Sequence, residues 1–92
     1  MVNFKIAETE YFSQQMKLIG KNLNTKVSNY VYPQLRENPF YGLNIKKLKG
    51  DFSEIYRYRI GDYRLFYSID TKNKIVILVS INQRKEAYKK KK

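Results

Sequence analysis

The stretch that decides the fold is IYRYRIGDYRLFYSI, residues 55–69, in which polar and apolar residues alternate on both sides of Gly61 and Asp62. A period of two indicates β-strands, and a glycine-containing dipeptide between two such runs is typical of a hairpin with a two-residue loop. A loop of that length fixes the register of the hairpin. It predicts four cross-strand pairs: Ile60 with Tyr63, Arg59 with Arg64, Tyr58 with Leu65, and Arg57 with Phe66.

Alternation gives this hairpin two different faces. The bulky face is predicted to be buried and carries Tyr56, Tyr58, Ile60, Tyr63, Leu65 and Tyr67. The other face carries Arg57, Arg59, Arg64 and Phe66, with no acidic residue among them. Like charges opposite one another destabilise a sheet, and a phosphate bound by their forked donors would offset that repulsion. We therefore favour an anion site over arginines that only keep an exposed sheet face soluble.

The remaining elements follow from periodicity and turn residues. VNFKIA at 2–7 alternates as a short strand, and a helical stripe follows over about 8–22. Asn24 or Thr25 is a suitable N-cap for a second helix, in which Pro33 predicts a kink or a break. NIKKLK at 44–49 and KIVILVSI at 74–81 complete the strands, the last of which is apolar on both faces, as in a central strand covered on each side.

The fold class that these elements predict is α+β. An N-terminal strand and two helices precede an antiparallel β-meander, and the helices pack on one face of the sheet. We expect residues 1–92 to form a single domain, because 92 residues enclose one core and no linker is visible.

The composition excludes several kinds of chemistry. The chain has no cysteine and no histidine, which removes thiolate zinc sites and serine–histidine catalysis, and we expect neither a metal nor another cofactor. The first residues lack the apolar run of a signal peptide, and no segment approaches the roughly 20 apolar residues of a membrane span. We therefore expect a cytoplasmic protein that has no membrane partner.

The net charge is +11 and is concentrated in one half of the chain: residues 1–43 carry a net +2, and residues 44–92 carry +9. This asymmetry indicates a polyanionic partner, with nucleic acid as our first hypothesis and an acidic protein as the second. Lys46, Lys47, Lys49 and Lys85 are candidates for contacts with an RNA backbone. The simpler interpretation of these lysines is a solvated strand edge.

Three segments together resemble the RelE/ParE toxin superfamily of bacterial toxin–antitoxin modules. They are KLKG at 47–50, YRYRIGDYRLFYSID at 56–70 and NQRKEAY at 82–88, and with the order of elements the resemblance covers nearly the whole chain. It implies a RelE-like microbial ribonuclease fold and a toxin that either cuts messenger RNA on the ribosome or inhibits DNA gyrase. It also implies a cognate antitoxin that covers the toxin with an acidic or amphipathic segment.

The resemblance assigns roles residue by residue. Arg64 matches the strand arginine that binds the phosphate, and Tyr88 matches a tyrosine that stacks on a base or takes part in proton transfer, although it could equally be an anchor of the tail. Arg57 and Arg59 stand where RelE has lysines, so they stabilise charge but cannot act as a base at neutral pH. Asn82 stands at a further arginine position, with Arg84 close by.

Three hypotheses follow. The first is a ribosome-dependent, metal-independent mRNA endoribonuclease whose candidate catalytic residues are Arg57, Arg59, Arg64, Arg84 and Tyr88. The second is a non-enzymatic gyrase inhibitor of the ParE type, which the missing proton-transfer residues favour. The third is a non-toxic relative that binds only RNA or an antitoxin.

Overall fold

The hairpin at residues 56–70 lies at the centre of the molecule, for which a computed structural model describes residues 3–48 and 54–83. Its strands are β3 (Tyr56–Ile60) and β4 (Tyr63–Asp70), and the four predicted cross-strand pairs are confirmed. Gly61 has φ +58°, as the first central residue of a type II′ turn requires, and a glycine adopts this conformation without strain.

The described strands form one five-stranded sheet. β1 (Lys5–Glu8), β2 (Ile45–Lys47) and β5 (Ile75–Gln83) join the hairpin in the order β1-β5-β4-β3-β2. The meander from β2 to β5 is antiparallel, whereas β1 pairs with β5 in parallel, so the sheet is mixed. The predicted α+β class is confirmed, and β5 lies inside the sheet, between β1 and β4.

Two helical regions connect β1 to β2. The first helix, α1 (Glu10–Leu18), is capped by Thr9, whose Oγ1 accepts a hydrogen bond from the Phe12 N–H at 3.1 Å. This is the usual way in which an N-cap satisfies a free helical donor.

The predicted start of the second helix is wrong, because α2 (Lys21–Lys26) begins three residues before Asn24. Gly20, at φ +100°, makes the sharp connection that lets the new helix start there. Asn24 has a different role: its Nδ2 donates hydrogen bonds to the carbonyls of Met16 (2.6 Å) and Gly20 (2.9 Å).

Pro33 changes the helical winding without ending the helical region. A π-helical turn (Val27–Val31) joins α2 to α3 (Tyr32–Glu37), and the Tyr32 N–H bonds to the carbonyl of Val27, five residues earlier. Pro33, which has no N–H to donate, follows directly after this π-helical turn, in the first turn of α3.

The core lies between the helices and one face of the sheet. The helices contribute Phe12, Met16, Val27, Val31 and Leu35, and the sheet contributes Tyr58, Leu65, Tyr67, Val76, Leu78 and Ile81. Tyr67 is fully buried, yet its hydroxyl is satisfied because it donates to the carbonyl of Pro39 at 2.7 Å. Burial also raises the pKa of Tyr67 well above its ordinary value, so this hydroxyl stays protonated.

A bulge in β5 decides which of its residues face the core. Phe66 pairs with Ser80 and Tyr67 pairs with Leu78, so Val79 is an extra residue. Leu78 and Ile81 are both buried although they are three positions apart. The expectation that β5 is covered on both faces is not met within the described residues, because the helices pack on one face and Val79 is only half-buried.

Candidate functional site

The candidate site lies on the face of the sheet opposite the helices, which we call the outer face. Two rows of cross-strand neighbours cross it. The first row runs Arg59, Arg64, Asn82, and the second runs Lys46, Arg57, Phe66, Ser80. The rows are two residues apart along each strand, which is about 7 Å.

Four cations therefore meet on adjacent strands, and we call Lys46, Arg57, Arg59 and Arg64 the cation block. Lys46 lies opposite Arg57, and Arg59 lies opposite Arg64. Directly opposed side chains in a sheet have Cβ atoms about 5 Å apart, so these pairs repel one another. Such an arrangement favours an anion between the strands.

Arg57 is the member of the cation block with a buried donor that lacks a partner. Its Nε is buried and has no hydrogen-bond partner. Burial lowers the pKa of Arg57, and the charges of Arg64 and Arg59 lower it further. A guanidinium keeps its proton at neutral pH, so the lowered pKa reports a destabilised cation that an anionic acceptor would stabilise.

Gln15 holds the end of β5 beside the cation block, and the sequence pattern gave no sign of this contact. β1 pairs only with the first part of β5, which leaves the later edge of that strand open. The Gln15 side chain fills this position, because its Nε2 donates to the Ile81 carbonyl and its Oε1 accepts from the Ile81 N–H, each at 2.8 Å. The same Nε2 lies 3.3 Å from Oδ1 of Asn82, the neighbour of Arg64.

The structure separates lysines that the sequence analysis grouped together. Lys46 faces outward with Arg57, whereas Lys47 pairs with Tyr56 and its Nζ lies 5.9 Å from the centroid of that ring. Period-two alternation puts neighbouring strand residues on opposite faces, and it could have shown this separation. The remaining candidates, Lys49, Arg84, Lys85 and Tyr88, lie outside the described residues.

In the segments 3–48 and 54–83, no group of three or more acidic, histidine or cysteine side chains is placed to hold a metal ion. None of the helices in those segments is long and apolar enough to cross a membrane.

Comparisons with known proteins identify the family. A family model for the ParE toxin of type II toxin–antitoxin systems matches residues 5–88. RelE1 of Methanocaldococcus jannaschii is 37% identical over 68 residues, which are 72% of this chain and 74% of that relative.

Solved structures share the fold. A chain of the toxin–antitoxin complex RelBE2 from Mycobacterium tuberculosis matches with a TM-score of 0.80 and 21% identity, covering 91% of this chain and 94% of that one. The isolated RelE toxin of Escherichia coli matches with a TM-score of 0.73 and 20% identity, covering 97% and 99%. The chain therefore belongs to the RelE/ParE superfamily and is a toxin of the type II toxin–antitoxin class.

Proposed function

We propose that the chain is an mRNA endoribonuclease that acts on the ribosome, in the cytoplasm and without a metal. The observation that carries this proposal is the cation block, in which the buried Nε of Arg57 has no acceptor. Forked guanidinium donors bind phosphate well, and RNA is a polymer of phosphates whose negative charge complements the net charge of +11.

RNA cleavage of this kind requires the protein to stabilise negative charge and to transfer protons. The 2′-hydroxyl of one nucleotide attacks the adjacent phosphate and the 5′-oxygen leaves, so negative charge grows on the phosphorane and a proton moves at each end. Arg57, Arg59 and Arg64 would stabilise that charge. Within the cation block only Lys46 is able to release a proton at all, and outside the described residues Tyr88 is the candidate that the family resemblance supplies.

The first prediction concerns Arg64, the residue at the phosphate position of the family. Arg64→Ala should reduce cleavage roughly 100- to 1,000-fold, because a donor aimed at the developing charge is lost. Primer extension on mRNA from cells that express the toxin without antitoxin measures the cuts, and growth inhibition reports toxicity.

The matched control for this prediction is Arg36→Ala. Arg36 is an exposed arginine that lies over the Tyr32 ring on the helical side of the sheet, whereas Arg64 is half-buried on the other face. Cleavage should persist in this variant. A folded Arg64→Ala protein that cuts as the parent does would contradict the role of Arg64.

A gyrase inhibitor is the second candidate function. Two observations favour it: the family model that matches is the ParE toxin, and arginines occupy both strand positions where RelE has lysines. Intact mRNA together with gyrase-dependent DNA damage after induction would establish this alternative. If neither effect occurs and an antitoxin still binds, the chain is a non-toxic relative.

We also propose that a cognate antitoxin binds this toxin. Structural relatives were solved as toxin–antitoxin complexes, among them RelBE2 of Mycobacterium tuberculosis and RelB-RelE of Methanococcus jannaschii. The cation block favours a partner segment that carries carboxylates over the outer face. Co-purification with the product of the neighbouring gene would test this partnership.

A further inference from the structure

The outer face continues beyond the cation block into an apolar depression. A cavity of about 440 Å³ is lined by Leu48, Ile55, Phe66, Val79 and Ser80. The Leu48 N–H donates to the carbonyl of Ile55 at 2.9 Å, so these two residues extend the ladder between β2 and β3 by one step. The depression therefore begins where the cations end.

Phe66 joins the two regions. It lies directly opposite Arg57, and its side chain also lines the depression. The half-buried Val79 is the extra residue of the β5 bulge, opposite the step from Phe66 to Tyr67. An aromatic ring thus lies within one cross-strand step of a guanidinium.

We propose that Phe66 is the stacking site for a nucleobase next to the phosphate that the arginines bind. This inference rests on the ribonuclease function proposed above and deepens it by placing one base of the substrate. Planar bases stack on aromatic side chains. When an RNA strand runs along the β-strands with one phosphate at Arg59 and Arg64 in the first row, a base of that strand lies over Phe66 in the second row.

The lining also indicates how selective the site is. Among the described residues that line the depression, Ser80 alone has a hydrogen-bonding side chain. A base in this depression would be bound by stacking on its face, and few hydrogen bonds would form to its edge. The site therefore tolerates all four bases and contributes affinity more than sequence preference.

An apolar side chain of a protein partner is the competing occupant. RNA is favoured because one ligand then satisfies both halves of the surface: its phosphate neutralises the cation block, and its base covers the ring one row away. The experiment is designed to separate the two.

The test uses a short single-stranded RNA with 2′-O-methyl riboses, which binds but cannot be cut because the attacking hydroxyl is blocked. Phe66→Leu should weaken binding roughly 5- to 100-fold, whereas Phe66→Tyr keeps the ring and should bind as the parent does. The same RNA with every nucleotide abasic should bind the parent and Phe66→Leu equally. Equal binding of the intact RNA by the parent and Phe66→Leu would overturn the proposal, as would a loss that persists with the abasic RNA.

A fluorescence reporter gives a second, independent measurement. The chain has no tryptophan, so Phe66→Trp introduces a single indole at the site. Stacking should quench its emission as RNA is added, and the abasic RNA should quench it less. Tyr30→Trp is the matched control, because Tyr30 is 68% exposed on the helical side of the molecule and should report no change.

The outcomes keep this inference distinct from the proposed function. If ribosomal mRNA is cut and Phe66→Leu binds RNA as the parent does, the stacking site is wrong and the nuclease assignment stands. If the parent binds no RNA and cuts none, both are wrong. If Phe66→Leu weakens binding only to the antitoxin, the depression belongs to the protein partner.

Discussion

Arg57 lies in a place that is energetically unfavourable for its own side chain. Its Nε is buried without a partner, and its charge is opposed by two neighbouring guanidinium groups. An unsatisfied buried donor costs about 1–3 kcal/mol, and nothing described on the outer face offsets that cost. A bound anion would do so, which explains why the arrangement is useful in a binding protein although it is unfavourable in a free one.

Arg57→Lys is the prediction that belongs to this scale. A lysine keeps the positive charge, removes the unpaired Nε and provides a group that is able to lose a proton. Toxicity should therefore persist or rise, and the rate of cleavage should gain a dependence on pH. Growth inhibition and cleavage at several pH values measure this, with Arg57→Gln as the variant that should lose activity. A folded but inactive Arg57→Lys protein would show that the forked geometry of arginine is required.

At the scale of elements, a glutamine takes the place of a missing strand. β1 is four residues long and pairs with the first part of β5 only. Beyond it, α1 lies along the open edge: Thr9 Oγ1 donates to the Val79 carbonyl at 3.2 Å, and Gln15 bonds both backbone groups of Ile81. These contacts fix the position of the end of β5, where Asn82 pairs with Arg64 on β4.

Gln15→Ala should loosen this strand end. The substitution leaves the Ile81 N–H and carbonyl without their partner in a partly buried place, which should cost roughly 1–3 kcal/mol of stability. Denaturant unfolding measures the loss, and hydrogen exchange should show faster exchange of the Ile81 amide. Gln14→Ala is the matched control, because Gln14 is an exposed glutamine of the same helix and its loss should change stability by less than about 0.5 kcal/mol. Equal effects of the two substitutions would mean that the contact with Ile81 is not stabilising.

Local signals explain which parts of the fold could be predicted. The Gly61 loop and its flanking alternation fixed the register of β3 and β4, because a two-residue turn leaves no other pairing. The start of α2 was missed, because Asn24 is a good N-cap in isolation, while the positive φ of Gly20 places the start earlier. The parallel pairing of β1 with β5 joins residues about 70 positions apart, and no local pattern encodes it.

The same reasoning applies to the candidate site. Alternation was sufficient to bring Arg57, Arg59 and Arg64 to one face. Gln15 could not be found in this way, because its role depends on where a helix lies against the edge of a distant strand. The bulge at Val79 was also hidden, since Val79 is as apolar as its neighbours and pairing alone reveals the extra residue.

At the scale of the whole molecule, the sheet separates two electrostatic environments. On the helical side, the Glu8 carboxylate accepts hydrogen bonds from Ser13 and from Tyr32. At the end of β4, the Asp70 carboxylate accepts hydrogen bonds from the side chain and the N–H of Asn73, and these bonds lower the pKa of Asp70. Both of these carboxylates are thus engaged away from the cation block.

Lys46 and Lys47 are neighbours in β2 that lie on opposite faces of the sheet, so their contributions to RNA binding can be compared directly. Each phosphate contact releases counterions, so the logarithm of affinity falls with the logarithm of salt concentration, by a slope of about 0.7 per contact for single strands. Lys46→Gln should reduce the slope by about that amount, because Lys46 lies opposite Arg57 on the outer face. Lys47→Gln removes the same charge but should leave the slope unchanged, since its ammonium lies over the Tyr56 ring. Binding of single-stranded RNA across a salt series measures both slopes, with circular dichroism as the folding check. If the two substitutions flatten the slope equally, RNA responds to the total charge of the molecule, and the outer face is not the surface that it follows.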